Sequence, residues 1–233
     1  MSALKPIYEE TIMAIKSACE TINVSFITAA TDGRISSAMK ESEYLTTLKA
    51  ALPPHFTTEI AKDRHWYDVR INDIPINLKL TTGGTDNAFN KVALIYTLTG
   101  TEPAKRNMNF SELWAHLKAA PKKPTRDRQT EYHYLVVDKP TGNTLLKSIL
   151  DIHTYKSNPC NDMQINWANE FRNMDYYSAE EEYQEKVKEL VGCVQRSVRQ
   201  ALESMKAFAD ADVGSLFPPE PEPEPEPEPT SDP

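Results

Sequence analysis

An acid, an amide and a lysine stand near one another in this chain: Asp68, Asn77 and Lys79. They belong to the run Trp66-Tyr67-Asp68-Val69-Arg70-Ile71-Asn72-Asp73-Ile74-Pro75-Ile76-Asn77-Leu78-Lys79-Leu80-Thr81, in which two β-rich stretches flank Asn72-Asp73. Asn and Asp tolerate positive φ, so this pair predicts a two-residue hairpin turn. The turn sets a register of Ile71 with Ile74, Arg70 with Pro75, Val69 with Ile76 and Asp68 with Asn77. Side chains alternate along a strand, so Val69, Ile71, Ile74, Ile76, Leu78 and Leu80 share one apolar face and Asp68, Asn77 and Lys79 share the other. Oxygen ligands of this kind suit a hard divalent cation. Such a cation activates water and neutralises phosphate charge. A lysine beside it stabilises a pentacovalent anion or helps deprotonate the water. The chemistry within reach is phosphodiester hydrolysis. An ordinary Asp–Lys pair on a solvent-facing hairpin would have the same sequence.

A fourth candidate is Glu41. The pattern of residues 35–52 predicts a helix ending at Pro53-Pro54, with Glu41, Leu45, Leu48 and Leu52 on one stripe and Glu43 pointing away. A glutamate on the buried side of a helix is costly unless it is paired or binds metal. The other reading sets it at the edge of the stripe with its head group in water. The remaining elements must hold the hairpin in place. Helices are expected over 3–20, over 86–98 with Asp86 as N-cap, and over 111–119. Residues 132–137 predict a strand, followed by a turn at Lys139–Gly142. A long amphipathic helix is expected over 178–208, its stripe marked by Val187, Leu190, Val194, Val198, Ala201, Met205 and Phe208. The fold class is α/β, with one domain over 1–209. From 210 to 233 an acidic tail alternates Glu and Pro. Proline removes backbone donors and repelling glutamates extend the chain, so this tail is expected to be disordered and polyproline-II-like.

The net charge of −8 is an argument against nucleic acid only until it is divided. Glu220, Glu222, Glu224, Glu226, Glu228 and Asp232 lie in the tail, with no basic residue among them. The body is therefore near neutral and can carry a local basic strip. No apolar run approaches the roughly 18 residues of a membrane span, and Met1–Glu10 lacks the pattern of a secretory signal. Cys19, Cys160 and Cys193 form no metal spacing, which fits reduced thiols in a cytoplasm. His55, His65, His116, His133 and His153 show no metal or triad spacing, and only His65 lies close to the hairpin.

Asp68 followed by Asn77-Leu78-Lys79 resembles the PD-(D/E)xK motif of type II restriction endonucleases. Tyr67 stands where that family often has Pro, and Asn77 where it usually has Asp or Glu. The run Ile76-Asn77-Leu78-Lys79-Leu80-Thr81-Thr82-Gly83-Gly84-Thr85-Asp86-Asn87 is similar to a pattern found in a subset of these nucleases in which Asn replaces the second acid. Lys5-Pro6-Ile7-Tyr8 and Gln164-Ile165-Asn166-Trp167-Ala168 resemble the two ends of one member. The stretch from Asn158 to Trp167 resembles a recurrent segment of the group. The resemblance implies a restriction-endonuclease-like core with a central mixed sheet flanked by helices. It also implies magnesium, a homodimer on palindromic double-stranded DNA, and a cognate DNA methyltransferase in a bacterial cytoplasm. By position, Asp68 would be the main metal ligand, Asn77 a neutral second ligand, Lys79 the catalytic lysine and Glu41 the helix glutamate near the metal.

Contacts to DNA are expected from several segments. Lys122, Lys123, Arg126 and Arg128 form a basic strip suited to phosphates, or a solvated loop before a strand. Asn158, Asn161 and Gln164 carry paired donors and acceptors able to read adenine or other base edges, though Asn-Pro turns are also ordinary loop chemistry. Asn87 and Lys91 could meet backbone phosphate near the scissile bond. Two other readings stay open: a non-catalytic DNA-binding protein on the same fold, motivated by the charge lost at Asn77, and a repair or recombination nuclease that recognises structure rather than sequence.

Overall fold

The computed structural model describes residues 5–22, 35–62, 65–160, 162–173 and 183–211. The hairpin forms where the turn chemistry sets it. Val69–Ile71 (β2) and Ile74–Thr81 (β3) pair antiparallel, with Val69 opposite Ile76, Arg70 opposite Pro75 and Ile71 opposite Ile74. Asn72 and Asp73 adopt φ of 44° and 68°, the left-handed pair that a tight hairpin with the twist of its strands requires. Asn72 does more than turn. Its Oδ1 accepts from the Thr57 N–H at 3.0 Å and its Nδ2 donates to Thr11 at 2.9 Å, so the turn is tied to the first helix and to the segment before β1.

Around the hairpin the sheet runs Thr58–Ile60 (β1), β2, β3, His133–Asp138 (β5) and Thr144–Ser148 (β6), in that order. β3 and β5 are parallel and the other pairs antiparallel. Pro75 lacks an N–H and is accommodated because the β3–β5 ladder begins one residue later, at Ile76 opposite His133. A second, antiparallel sheet is ordered Thr85–Asn87 (β4), Asp162–Asn166 (β8), Tyr155–Asn158 (β7). The architecture is α/β, with a mixed five-stranded sheet, a small antiparallel sheet and a long C-terminal helix. Among the described residues no helix is long and apolar enough to cross a membrane.

Two apolar layers sandwich the large sheet. Lys5–Thr21 (α1) and Ile35–Ala51 (α2) cover the face made by Val69, Ile71, Ile74, Ile76 and Leu78, through Ile15, Tyr44, Leu45 and Leu48. The opposite face, with Trp66, Tyr132, Tyr134 and Val136, packs against Lys91–Thr99 (α3), Phe110–Ala119 (α4), the small sheet and Tyr183–Ala209 (α6). A short helix, Trp167–Arg172 (α5), follows β8, packs beside β4 and buries Trp167 fully.

The helix expected over 86–98 is a correction. Residues 85–87 are a strand, because Thr85, Asp86 and Asn87 pair with Asn166, Ile165 and Gln164. The helix begins at Lys91 and is capped by Asn90, whose Oδ1 accepts from the N–H groups of Val92 at 2.9 Å and Ala93 at 3.2 Å. Asp86 instead accepts the indole N–H of Trp167 at 2.7 Å. The helix expected over 178–208 runs from Tyr183, and residues 178–182 lie outside the described residues, as does the tail beyond 211.

Candidate active site

Asp68 sits where the hairpin ladder stops. Its N–H bonds the Ile76 carbonyl at 2.9 Å, so it does not continue the pairing as a residue directly opposite Asn77. The carboxylate nevertheless closes that gap. Oδ2 accepts from Asn77 Nδ2 and from the Leu78 N–H, each at 2.7 Å. Among the described residues Oδ1 of Asp68, Oδ1 of Asn77 and Nζ of Lys79 have no hydrogen-bond partner. Asn77 and Lys79 alternate with Leu78 on β3, so both lie on the face occupied by Tyr134 and Val136, their neighbours in β5. The sequence expectation that these three side chains share a face is met.

Burial pushes the Asp68 carboxyl above the usual carboxylate range; the Leu78 N–H and the Lys79 ammonium pull it back only in part. A carboxylate left undercompensated in this way gains from a bound cation, and the donor set of one carboxylate and one amide oxygen suits magnesium. The linkage has a definite sign. A raised folded-state pKa means that Asp68 favours the fold while protonated and ceases to as pH rises through that pKa. Magnesium should therefore raise the melting temperature at neutral pH, and the gain should fade on acidification as protons displace the ion. Asp68→Asn should melt higher than the parent at neutral pH and show no response to magnesium. Calorimetry across pH with and without the ion checks both expectations. An equal magnesium response in Asp68→Asn would remove this carboxylate from any ion site. Among the described residues no group of three or more His, Cys, Asp and Glu could hold a metal, so the candidate ligand set is short.

Glu41 does share the inner stripe of α2 with Leu45 and Leu48, which Leu52 extends just past the helix end, and is half-buried while Glu43 is exposed. However, α2 lies against the Ile71–Leu78 face, the reverse of the face that carries Asn77 and Lys79. The structure thus brings Asp68, Asn77 and Lys79 together, with Glu41 approaching from the other side of the sheet. Tyr132 is a neighbour the sequence does not reveal. Its hydroxyl pKa is raised by burial, with further contributions from Tyr134 and the charge of Asp68. Only the parallel β3–β5 register puts that segment beside Asp68, and no local pattern signals it. His65 packs edge-on to Tyr67, with ring centroids 4.1 Å apart, and burial lowers its pKa.

The DNA candidates divide into two groups. Asn87, Asn158 and Gln164 converge on the small sheet: Asn87 Oδ1 accepts from Gln164 Nε2 at 3.2 Å and Asn158 Nδ2 at 3.5 Å. Asn161 lies outside the described residues. Lys91 is drawn inward, donating to the Met108 carbonyl at 3.0 Å, with its ammonium 4.1 Å from the Phe110 ring centroid.

Three of the four residues of the basic strip have partners within the protein. Arg126 is 6% exposed and pairs with both Glu131 and Asp151. Burial opposes its charge, but the two carboxylates outweigh it and raise its pKa. Lys123 donates to Thr130 at 2.7 Å, and burial lowers its pKa. Arg128 reaches Asp151 at 3.5 Å. Of the four, Lys122 is the exposed one. The reason is local charge balance: acids at 131 and 151 neutralise a strip that looks unpaired when only 122–128 are counted.

Comparison with protein-family models, curated proteins and solved structures finds no match to this chain.

Proposed function

We propose that this protein is a magnesium-dependent type II restriction endonuclease that cuts double-stranded DNA at specific sequences by phosphodiester hydrolysis. The observation that carries the reading is the hairpin cluster: two oxygens and one ammonium on one face, without partners among the described residues. The proposal includes a restriction-endonuclease-like core, a homodimer, a bacterial cytoplasm and a cognate methyltransferase protecting the host's own sites. Magnesium, when bound, supplies the activation of water and the neutralisation of phosphate charge. Asp68 and Asn77 would hold it through their Oδ1 atoms. Lys79 would stabilise charge on the phosphate or take the proton of the attacking water. The amides of Asn87, Asn158 and Gln164 would face base edges, and Lys122 a phosphate.

A specific feature favours a second reading, a non-catalytic DNA-binding protein. Asn77 uses its amide N–H₂ to satisfy Asp68, a clamp that would hold the hairpin without an ion. Position 77 decides between them. Incubation of the parent with plasmid and magnesium should give discrete bands. Asn77→Asp should retain activity and reach half-maximal rate at lower magnesium, because it adds a charge to the ligand set. Two facing carboxylates should also make that variant less stable in chelator. Asn77→Leu should be inactive. No cleavage by the parent under any divalent cation would favour the non-catalytic reading, and an active Asn77→Leu would place the ligands elsewhere.

A further inference from the structure

The apolar stripe of α6 outlasts the body it packs on. Leu190, Cys193 and Val194 are buried, yet Leu202, Met205 and Phe208 are 61%, 67% and 86% exposed. Beside the point where cover ends, α6 and α4 form a cleft of about 260 Å³ lined by Trp114, Leu117, Val191, Val194 and Val198, with Arg199 at its margin. Trp114 is 49% exposed. The chain then continues for residues 212–233, beginning Asp212-Val213-Gly214-Ser215-Leu216-Phe217 and passing into the Pro-Glu run.

We infer that the cleft is the docking site of this chain's own C-terminal segment, with Leu216 and Phe217 seated against Trp114 and Val198 and the glutamates that follow lying over basic residues. Three observations support that occupant. The first is reach. Travelling back from Ala211 to the level of Val198 takes roughly 20 Å at the helical rise. The extended stretch from Ala211 to Phe217 spans about 20 Å. The second is pattern: Val213, Leu216 and Phe217 are the last apolar residues of the chain, and the path back lays Val213 near Met205 before Leu216 and Phe217 arrive at the cleft. The third is charge. Arg199 on α6 lines the cleft and is exposed, Lys118 on α4 is exposed one residue after the lining Leu117, and Glu220 and Glu222 follow three and five residues after Phe217. Glu203 on α6 is the opposing acid and lies on the return path rather than at the cleft. The inference stands independently of the nuclease reading, and it revises the expected disorder of the tail for residues 213–217 only.

Tryptophan fluorescence of the full chain tests it. Trp66 and Trp167 are 4% and 0% exposed, so Trp114 is the indole that acrylamide can reach. The parent should be quenched weakly. The full-length L216E/F217E chain, and F217A as a milder variant, should give a Stern–Volmer slope at least about twofold steeper, with an unchanged melt. Adding a peptide of residues 212–222 to L216E/F217E should restore the protection. Trp114→Phe should abolish the difference between chains. Equal slopes for the parent and both tail variants would overturn the proposal. So would Trp114 protection that depends on protein concentration and accompanies a doubled mass by light scattering, since a second copy would then be the occupant.

Discussion

Lys79→Ala is expected to bind DNA within a few-fold of the parent and to cut it at less than about 1% of the parental rate. Loss of one preorganised charge that acts on the transition state costs on the order of 10²–10³ in rate. The structure makes this a clean test. Lys79 is half-exposed on β3, and its ammonium has no hydrogen-bond or ion-pair partner among the described residues, so its removal breaks nothing that holds the fold. Its effect on the Asp68 carboxyl is to lower the pKa, so Lys79→Ala should also move the acid limb of any residual activity to higher pH. Filter binding in chelator and single-turnover cleavage in magnesium separate the two effects. Cleavage at near the parental rate would mean that the reacting phosphate lies somewhere other than this hairpin.

The second large effect is on stability. Arg126→Ala should cost about 3–5 kcal/mol, the usual consequence of leaving a buried carboxylate, here Glu131, without its cation. Arg126 donates to both oxygens of Glu131 at 2.8 Å and reaches Asp151 at 2.9 Å. Both carboxylates are fully buried. Glu131 also accepts from the Ser148 hydroxyl, and its main-chain carbonyl contacts His133 Nδ1 at 2.9 Å. The damage would therefore spread into β5 and β6. Lys122→Ala, by contrast, should leave stability within about 0.5 kcal/mol. If Lys122 meets a phosphate, the salt dependence of DNA binding should become shallower by about one ion. Urea melts and binding measured at several salt concentrations distinguish the two residues. A normally stable Arg126→Ala chain with weakened, less salt-sensitive DNA binding would return Arg126 to the DNA surface.

These two residues mark where sequence reading succeeds and where it fails. The hairpin was legible because a two-residue left-handed turn fixes the register by local chemistry alone, and alternation then assigns every side chain a face. The pairing of the basic strip is not legible in the sequence, because its partners, Glu131 and Asp151, are supplied by later segments and a count of lysines and arginines cannot see them. β4 was missed for a related reason. Thr85–Asn87 is three residues long and has no apolar alternation, and its strand character comes entirely from pairing with Asn166–Gln164, far along the chain. Asp86 then looks like a helix cap because its real partner, the Trp167 indole, is equally remote. The convergence of Asn87 with Asn158 and Gln164 follows from that same unseen pairing, although each residue was identifiable singly by its side-chain chemistry.

The parallel pairing of β3 with β5 carries a consequence for how the molecule comes into being. The hairpin needs only neighbouring residues and a turn already disposed to close, so it can form within microseconds of its synthesis. The face that carries Asn77 and Lys79 needs Tyr134 and Val136 beside them, and those residues emerge from the ribosome later. Parallel contacts between distant segments are slow to form because loop-closure entropy must be overcome first. A nascent chain would therefore carry Asp68, Asn77 and Lys79 for some time on an unsupported ribbon, with the correct atoms but no floor beneath them. For a protein proposed to cut DNA, competence would wait until β5 has joined the sheet beside β3.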